Sequence, residues 1–452
     1  MVSFPTVYRR VIAHKRVIVF LLVFAFCAYP LITPDKFERV RVAGRIIFVV
    51  LIASQIFWVR CALDLGERFI QGKPRRAWLA VIASAVYLLF FAYSATHRGV
   101  AHLTGHVIGA ADLRLRSVLM EGAFSWWLVG SWLGFCLVIV FWTVDCVVRG
   151  AVWVYSRARD AAAAHVATLK PTPIAVFSPA RRRFLRQSAV ALSATPFAAS
   201  AYGLLYSRLD IEVTHRRIRL ARLPKSFEGF RIAQLSDIHI GPFMPADEIR
   251  RCVTITNQLK ANLVVMTGDY LSWDPAPQGE VVQALAGLRA PYGVFGSLGN
   301  HESLTDTEES ITRLFATQGI RILRQESAPI RLGGDTLNLI GLDDSITDDK
   351  VVEHLVMPGT VNILLNHNPN DFDQAVELGI DLMLAGHTHG GQLSLESLRR
   401  GLALIRLETP YVSGWYEKSG GQLYVNRGIG TTILPIRLGA RPEITVLELS
   451  RV

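Results

Sequence analysis

The chain has 452 residues, of which 51% are hydrophobic and 19% charged, and its formal net charge is +11. This composition excludes an intrinsically disordered chain and argues against one ordinary soluble domain, in which about a quarter of the residues are charged. Residues 1–206 carry 24 lysines and arginines against 8 acidic residues, whereas residues 207–452 carry 24 against 29. We therefore predict a basic half and an acidic half of different character.

The basic half contains uncharged runs that can cross a bilayer, whose core needs about 20 apolar residues in a helix. The runs are residues 17–34, 77–96, 122–144 and 187–207, and a shorter one, 46–59, extends to 42–63 if its flanking arginines snorkel to the interfaces. Buried core helices of a soluble protein are the disfavoured alternative. We predict a four-helix transmembrane region over 1–150, a basic cytoplasmic linker over 151–186, and a fifth span or signal anchor over 187–207.

The distribution of positive charge predicts the orientation of these spans, because cytoplasmic loops are enriched in lysine and arginine. With a cytoplasmic N-terminus, 17 basic residues lie inside and 7 outside. Five spans then place residues 208–452 outside the cytoplasm. Arg181, Arg182 and the Phe-Leu-Arg that ends at Arg186 resemble a twin-arginine export signal, which implies the translocase as a partner during export. A plain basic flank is the alternative, and we favour an anchor over cleavage near Ala201.

In the acidic half, apolar runs alternate with amphipathic stretches, which predicts a layered α/β domain over 208–452. We predict strands at 231–240, 262–267, 293–298, 337–342, 361–365, 382–385, 423–426 and 444–449, and helices at 245–260, 280–288, 306–318 and 371–378.

Polar motifs follow five of these strands. They are Ser236-Asp-Ile-His239, Thr267-Gly-Asp269, Gly299-Asn-His-Glu302, Asn366-His367 and Gly386-His-Thr-His-Gly-Gly391. Ligands of open α/β sheets bind at the carboxyl ends of strands, and Asp, His and Asn together suit divalent transition metals. A pair of metals needs a bridging carboxylate, for which Asp269 is the natural candidate. Ordinary core histidines and helix caps are disfavoured because all five motifs occur together.

These motifs, in this order, resemble those of the calcineurin-like metallophosphoesterases over roughly residues 225–452. Within that superfamily the chain is similar to the bacterial YaeI/YkuE type of phosphodiesterase. The supporting residues are Ser236-Asp-Ile-His239, His387-Thr-His-Gly-Gly-Gln392, the tail from Tyr424 to Gly430, Arg437, and Pro442-Glu443. The resemblance implies a four-layer α/β sandwich of two mixed sheets flanked by helices, here preceded by an α-helical transmembrane domain.

The resemblance also implies a site with two divalent metal ions, drawn from Mn, Fe, Zn or Co. One metal would be held by Asp237, His239 and His389, and the other by Asn300, His367 and His387, with Asp269 shared. His301 would lie beside the metals without ligating them, and would protonate the leaving oxygen or stabilise charge in the transition state. Trp273, Trp415 and Tyr416 are candidates for a substrate groove, although structural roles are the stronger expectation for them.

We therefore predict a multi-pass protein of the bacterial inner membrane whose catalytic domain faces the periplasm. It would hydrolyse a phosphodiester, or a phosphomonoester, by attack of a metal-activated hydroxide, and a lipid ester is one candidate substrate. The basic charge orients helices, so no nucleic-acid partner is expected. The alternatives are a cytoplasm-facing hydrolase of a nucleotide-linked lipid pyrophosphate, a non-catalytic metal-binding module, and a transporter or receptor with an accessory domain.

Overall fold

The computed structural model describes residues 36–69, 121–165, 179–394 and 404–452. The described residues form two units. Within the third long helix, the boundary between the two units lies between Ala201 and Tyr202. The predicted spans at 17–34 and 77–96 lie outside the described residues. Each unit is described by itself below.

Three long helices precede the α/β domain: α1 (Lys36–Phe69), α2 (Ala123–His165) and α3 (Pro179–Leu205). Among the described helices, two contain stretches long and apolar enough to cross a membrane, Val42–Cys61 and Ala123–Arg159, with mean hydropathies of 2.1 and 2.0. These stretches coincide with the predicted spans at 42–63 and 122–144. The predicted fifth span lies on α3, which is not one of the two, so that span stays a prediction.

Helix α2 is longer than the uncharged run that predicted it. It continues through Asp145 and Arg149, which form an i,i+4 ion pair at 2.7 Å, and through the alanines that precede His165. Alanine is the best helix former, and such a pair supports a helix by a few tenths of a kcal/mol. The helix therefore extends well into the segment predicted as a linker.

Two glycines allow α3 to approach α2 closely. A Cβ atom at Gly130 would lie 2.6 Å from the Phe197 ring, and one at Gly134 would lie 2.9 Å from the Ser193 carbonyl oxygen. Pro196 of α3 has no backbone N–H, so the Leu192 carbonyl lacks its usual helical hydrogen bond. The hydroxyl of Thr195 donates to that carbonyl instead. Glycines spaced by four residues are typical of helix pairs that pack in membranes.

A buried polar network joins α1 to α2. The Gln55 side-chain amide donates to the Ser131 hydroxyl at 2.9 Å and accepts from the Trp127 indole at 2.9 Å, and the Trp58 indole donates to the Ser131 carbonyl at 2.8 Å. An unpaired polar group in an apolar environment costs several kcal/mol, so these groups satisfy one another within the unit.

The α/β unit contains two mixed six-stranded sheets. The strands are β1 (Glu212–Leu220), β2 (Arg231–Leu235), β3 (Leu263–Thr267), β4 (Val294–Ser297), β5 (Arg321–Ile322), β6 (Glu326–Leu332), β7 (Asp335–Gly341), β8 (Val361–Leu365), β9 (Leu382–Ala385), β10 (Gly414–Lys418), β11 (Gly421–Val425) and β12 (Glu443–Arg451). One sheet has the order β1-β12-β2-β3-β4-β5 and the other β10-β11-β9-β8-β7-β6. Strands β2, β3 and β4 are parallel neighbours, as are β8 and β9.

The described part of this unit has six α-helices. They are α4 (Ala246–Gln258), α5 (Gln278–Leu285), α6 (Asn300–Leu304), α7 (Glu308–Thr317), α8 (Asp349–Leu355) and α9 (Phe372–Glu377). All but the short α6 lie on the outer face of a sheet. Alternate residues of a strand face opposite sides: Ile232 of β2 and Leu384 of β9 share the core between the sheets, whereas Ala233 packs with α4, α5 and α7, and Met383 with α8 and α9. Helices, sheet, sheet and helices therefore form successive layers, and the prediction of two mixed sheets flanked by helices is confirmed.

Candidate metal centre

The five polar motifs lie at neighbouring strand ends. Asp237 and Asp269 lie two residues after the ends of β2 and β3, and Asn300 lies three residues after the end of β4. His367 and His387 lie two residues after the ends of β8 and β9. The two edges meet directly, because His367 Nδ1 lies 2.6 Å from the Thr267 carbonyl oxygen of the opposite sheet. The topology therefore brings motifs that are more than 100 residues apart in the chain to one place.

One set of predicted ligands surrounds Asp237 and Asp269. His389 Nε2 lies 3.2 Å from Asp237 Oδ1, and His239 Nε2 lies 3.0 Å from His389 Nε2. Asp269 Oδ2 lies 3.4 Å from His239 Nε2 and 3.2 Å from His367 Nε2. The ligand atoms of Asp237, His239 and His389 lie within 4.8 Å of one another, as do those of Asp237, Asp269 and His367. Asp269 thus stands between the two halves of the cluster, where a bridging carboxylate belongs.

The remaining predicted ligands, Asn300 and His387, also meet. Asn300 Oδ1 lies 3.0 Å from His387 Nδ1, and the His387 backbone N–H donates to Asp237 Oδ1 at 3.0 Å. The rings of His387 and His367 have centroids 5.1 Å apart. The structure therefore gathers all seven predicted ligands at one edge of the sandwich.

The hydrogen bonds of His239 and His367 fit a metal-binding role. His239 Nδ1 lies 2.9 Å from the Leu271 carbonyl oxygen and His367 Nδ1 lies beside that of Thr267. A carbonyl only accepts, so the proton sits on Nδ1 and the Nε2 lone pair points into the cluster, as in most metal-ligating histidines. His367 Nε2 is buried and has no hydrogen-bond partner within the described residues. A divalent ion would satisfy this atom, so the donor set fits the implied metals.

The electrostatics of the cluster are those of a buried ion network. Burial by itself would raise the pKa of Asp269, but the facing imidazoles of His367 and His239 hold that pKa well below its usual range. Burial opposes protonation of His367, and the Asp269 carboxylate nevertheless raises the pKa of His367 well above its usual value. Burial, together with His239 and Arg437, holds the pKa of His389 well below its usual range. Such perturbed groups in one cleft are typical of functional sites.

The backbone is unusual at five of the predicted ligands. Asp237, His239, Asp269, His387 and His389 have φ values of +49°, +48°, +57°, +72° and +51°. A non-glycine residue in the left-handed region costs roughly 1–3 kcal/mol and persists where the surrounding structure imposes it. These strained conformations lower the stability of the fold, and they direct the five side chains into the cluster.

Glu302 is a buried carboxylate whose role was not predicted from the sequence, although this residue ends the Gly299-Asn-His-Glu motif. Its two oxygens accept hydrogen bonds from the backbone N–H groups of Gly299, Asp269, Tyr270 and Leu271, at 2.8 to 3.1 Å. Burial raises its pKa to about 7, and the Asp269 carboxylate adds to the shift. Glu302 therefore holds in place the loop that carries Asp269. The presence of an acidic residue at the end of the Gly299-Asn-His-Glu motif is the sequence feature that could have indicated this role.

Arg437 is a second residue whose role the sequence did not reveal. Its fully buried guanidinium donates to the carbonyl oxygens of Arg427, Gly428 and Ala440 at 2.8 to 3.1 Å, and its Nη2 lies 3.3 Å from His389 Nδ1. Burial lowers its pKa to about 9. The loop it holds donates backbone hydrogen bonds from Gly430 to the Asp237 carbonyl at 2.8 Å, so Arg437 supports the metal cluster from behind.

His301 stands at the margin of the cluster. Its Nε2 lies 3.9 Å from Asp269 Oδ2, farther than the corresponding atoms of His239 and His367, and its Nδ1 is hydrogen-bonded to the Ser272 carbonyl. Ligand atoms of His239, Asp269 and His301 nevertheless lie within 4.8 Å of one another, which is close enough for the three residues to bind one ion. Burial lowers the pKa of His301. The geometry accommodates a proton donor directed at the cluster.

The three aromatic candidates for a groove lie in different places. The Trp273 ring packs against His301, with centroids 4.6 Å apart. Trp415 lies on edge strand β10, where its indole donates to Gln422 and its ring contacts the Arg216 guanidinium. The neighbouring Tyr416 hydroxyl accepts from the Val412 backbone N–H. Of the three, Trp273 lies at the metal cluster, and the two residues of β10 have structural contacts.

Comparisons with known proteins agree with this geometry. Residues 230–391 match the model of the calcineurin-like phosphoesterase family. The chain is 31% identical over 284 residues to the "Uncharacterized metallophosphoesterase YkuE" of Bacillus subtilis, covering 60% of this chain and 97% of that protein. It is 28% identical to the "Phosphodiesterase YaeI" of Escherichia coli, covering 60% and 98%. It is also 30% identical to a Danio rerio "Transmembrane protein with metallophosphoesterase domain", covering 59% of this chain and 63% of that one.

Proposed function

Because the chain belongs to the calcineurin-like phosphoesterases, and is thus a metal-dependent phosphoester hydrolase, we propose that it is a membrane-anchored phosphodiesterase with two divalent metal ions. The observation that carries the proposal is the cluster at the strand ends, in which two aspartates and three histidines aim buried ligand atoms at one another over 3.0 to 3.4 Å. The likeness to a protein named a phosphodiesterase supports the diester class.

In the proposed site, Asp237, His239 and His389 would hold one ion, Asn300, His367 and His387 would hold the other, and Asp269 would be shared. Divalent ions held in this way neutralise phosphate charge and activate water at neutral pH. The chain itself contributes orientation, since buried carbonyls fix the imidazoles of His239 and His367 before substrate arrives. As hydroxide derived from water joins phosphorus, the bond from phosphorus to the leaving oxygen breaks, and the imidazolium form of His301 gives that oxygen the proton on Nε2. His301 keeps its Nδ1–H on the Ser272 carbonyl and regains the Nε2 proton from solvent, which also receives the proton released by the attacking water.

A substrate panel tests the proposed activity. The full chain, purified in detergent and loaded in turn with Mn, Fe, Zn or Co, should bind about two ions and hydrolyse an aryl phosphodiester faster than the matching monoester, as two-metal sites do. Chelation should abolish turnover, and adding back metal should restore it. A protein that binds two ions and yet cleaves neither ester would support the non-catalytic module instead.

We propose further that the protein is a multi-pass inner-membrane protein whose α/β domain lies outside the cytoplasm. Two apolar helices and the likeness to a protein named a transmembrane protein indicate membrane association. The bias of basic residues and the twin-arginine-like sequence at the start of α3 support five spans and an outward-facing C-terminus. The proposed domain boundaries are 1–150, 151–186, 187–207 and 208–452.

A topology reporter tests this orientation. Protease added to spheroplasts, whose inner membrane is intact, should digest an epitope tag placed after Val452. The same tag inserted after residue 165 provides the control, because the proposal places that segment inside, where digestion should require opening of the inner membrane. The opposite pattern at Val452 would favour the second candidate, a cytoplasm-facing hydrolase of a nucleotide-linked lipid, and would remove the case for export.

A further inference from the structure

Three aromatic rings lead outward from the metal cluster. The His239 ring packs edge-on against His301, with centroids 4.7 Å apart, and His301 packs against Trp273 at 4.6 Å. Exposure rises along the row, from 2% at His239 and 5% at His301 to 44% at Trp273. Trp273 is therefore the solvent-facing end of a path that begins at a predicted metal ligand.

The position of Trp273 relates it to one part of the substrate. The Ser272 carbonyl binds His301 Nδ1, so only His301 Nε2 is free to serve a leaving oxygen. That oxygen must come within hydrogen-bonding reach of Nε2, and the group attached to it then extends away from the phosphate toward solvent. The Trp273 ring packs against His301 and is partly exposed, so it borders this donor. Leu304, three residues after His301 on α6, is 53% exposed and lies on the same part of the helix surface.

We propose that Trp273 is a specificity-determining residue that contacts the leaving group, and that the preferred substrates are phosphodiesters whose leaving group carries an apolar or aromatic portion next to the ester oxygen. This proposal rests on the proposed function, because it takes His301 as the donor to the leaving oxygen. An exposed indole offers a large rigid apolar surface, and aromatic pairs contribute beyond the area they bury. A small polar leaving group such as glycerol would leave that surface unused.

Matched leaving groups test the proposal in the full metal-loaded chain. Methyl phenyl phosphate and methyl 2-naphthyl phosphate share one phosphate and have leaving phenols of similar acidity, so they differ mainly in apolar size. We expect kcat/KM to favour the naphthyl ester by about 3- to 10-fold. Trp273→Ala should bring this ratio to about 1, and Trp273→Phe should restore part of it.

Binding provides a readout without turnover. Methyl benzylphosphonate and methyl (2-naphthylmethyl)phosphonate replace the aryl leaving oxygen with carbon, so the bond from phosphorus to the aromatic group cannot be hydrolysed. Calorimetry should show the same preference for the naphthyl compound in the wild-type chain and its loss in Trp273→Ala. Trp415→Ala is the matched control, because it removes an exposed indole on β10 and should leave both ratios unchanged.

The possible outcomes separate this inference from the proposed function. If the wild-type chain cleaves both esters and Trp273→Ala changes neither the kinetic ratio nor the binding ratio, Trp273 does not recognise the leaving group and the proposal is wrong. If Trp273→Ala slows both esters equally, the residue only supports His301, which also overturns it. If the metal-loaded wild-type chain cleaves neither ester, the proposed phosphodiesterase activity fails, and this inference fails with it.

Discussion

Replacement of Asp269 by alanine is expected to lower kcat/KM by about 10³-fold and to reduce the bound metal, because metal ions contribute several kcal/mol to the transition state and each 1.36 kcal/mol is tenfold in rate. Asp269 Oδ2 faces both His239 and His367, and its Oδ1 accepts the His301 backbone N–H at 3.0 Å. Removing the carboxylate leaves two buried histidines without their shared anion. Metal content by mass spectrometry and diesterase rates give the two measurements.

Two further variants make the Asp269 result specific. Asp269→Asn keeps the side-chain size and an acceptor for His301 but removes the charge, so it should fold and still lose metal. Asp274→Ala removes a carboxylate from the same loop, where it accepts a hydrogen bond from the Ala276 backbone N–H, and it should retain both ions. Full metal content with more than a tenth of the activity in Asp269→Ala would refute the bridging role.

Replacement of His301 by glutamine is expected to lower kcat by roughly 10²- to 10³-fold while both metals stay bound, because proton transfer by a positioned side chain contributes about that much. Glutamine has an amide that can still donate to the Ser272 carbonyl, so the loop should keep its position. The loss should be smaller for a nitrophenyl ester than for an alkyl ester, since nitrophenolate leaves without a proton. Single-turnover rates on the two esters measure this difference.

The His301 experiment also decides between the roles that its position allows. His301 Nε2 lies 3.9 Å from Asp269 Oδ2 and close to His239, so it could be a ligand. Loss of one ion in His301→Gln would show that it ligates metal, and our assignment would then be wrong. An equal loss for both esters, with metal retained, would identify His301 as a stabiliser of transition-state charge instead of a proton donor.

Much of the α/β unit could be predicted because its central strands are buried on both faces. Strands β8 and β9 have the predicted bounds, since their continuous apolar runs end at polar residues. Strand β1 was missed because it is an edge strand rich in arginine, whose membership depends on pairing with β12 more than 220 residues later. Strands β5, β6 and β10, which are also edge strands, were missed as well.

The motifs predicted which side chains gather, but spacing along a chain could not reveal what holds them. The roles of Glu302 and Arg437 depend on backbone groups that the fold brings together, and the place of Glu302 in its motif did not reveal those groups. The extent of α2 beyond its uncharged run depended on an ion pair and a helix-forming alanine segment. Side-chain contacts with main-chain groups are therefore the part of this site that the sequence predicts least well.

The carbonyls that orient the histidines have a consequence for how such an enzyme can change over generations. The partners of His239, His367 and His301 are main-chain oxygens of Leu271, Thr267 and Ser272, and substitution of those side chains leaves the oxygens in place. The loop from Leu271 to Trp273 can therefore exchange its side chains while the imidazoles keep their protonation pattern. In this loop the main-chain oxygens orient the imidazoles that serve the reaction, whereas the side chains are available for substrate contacts. Substrate choice can therefore change while the reaction chemistry is kept.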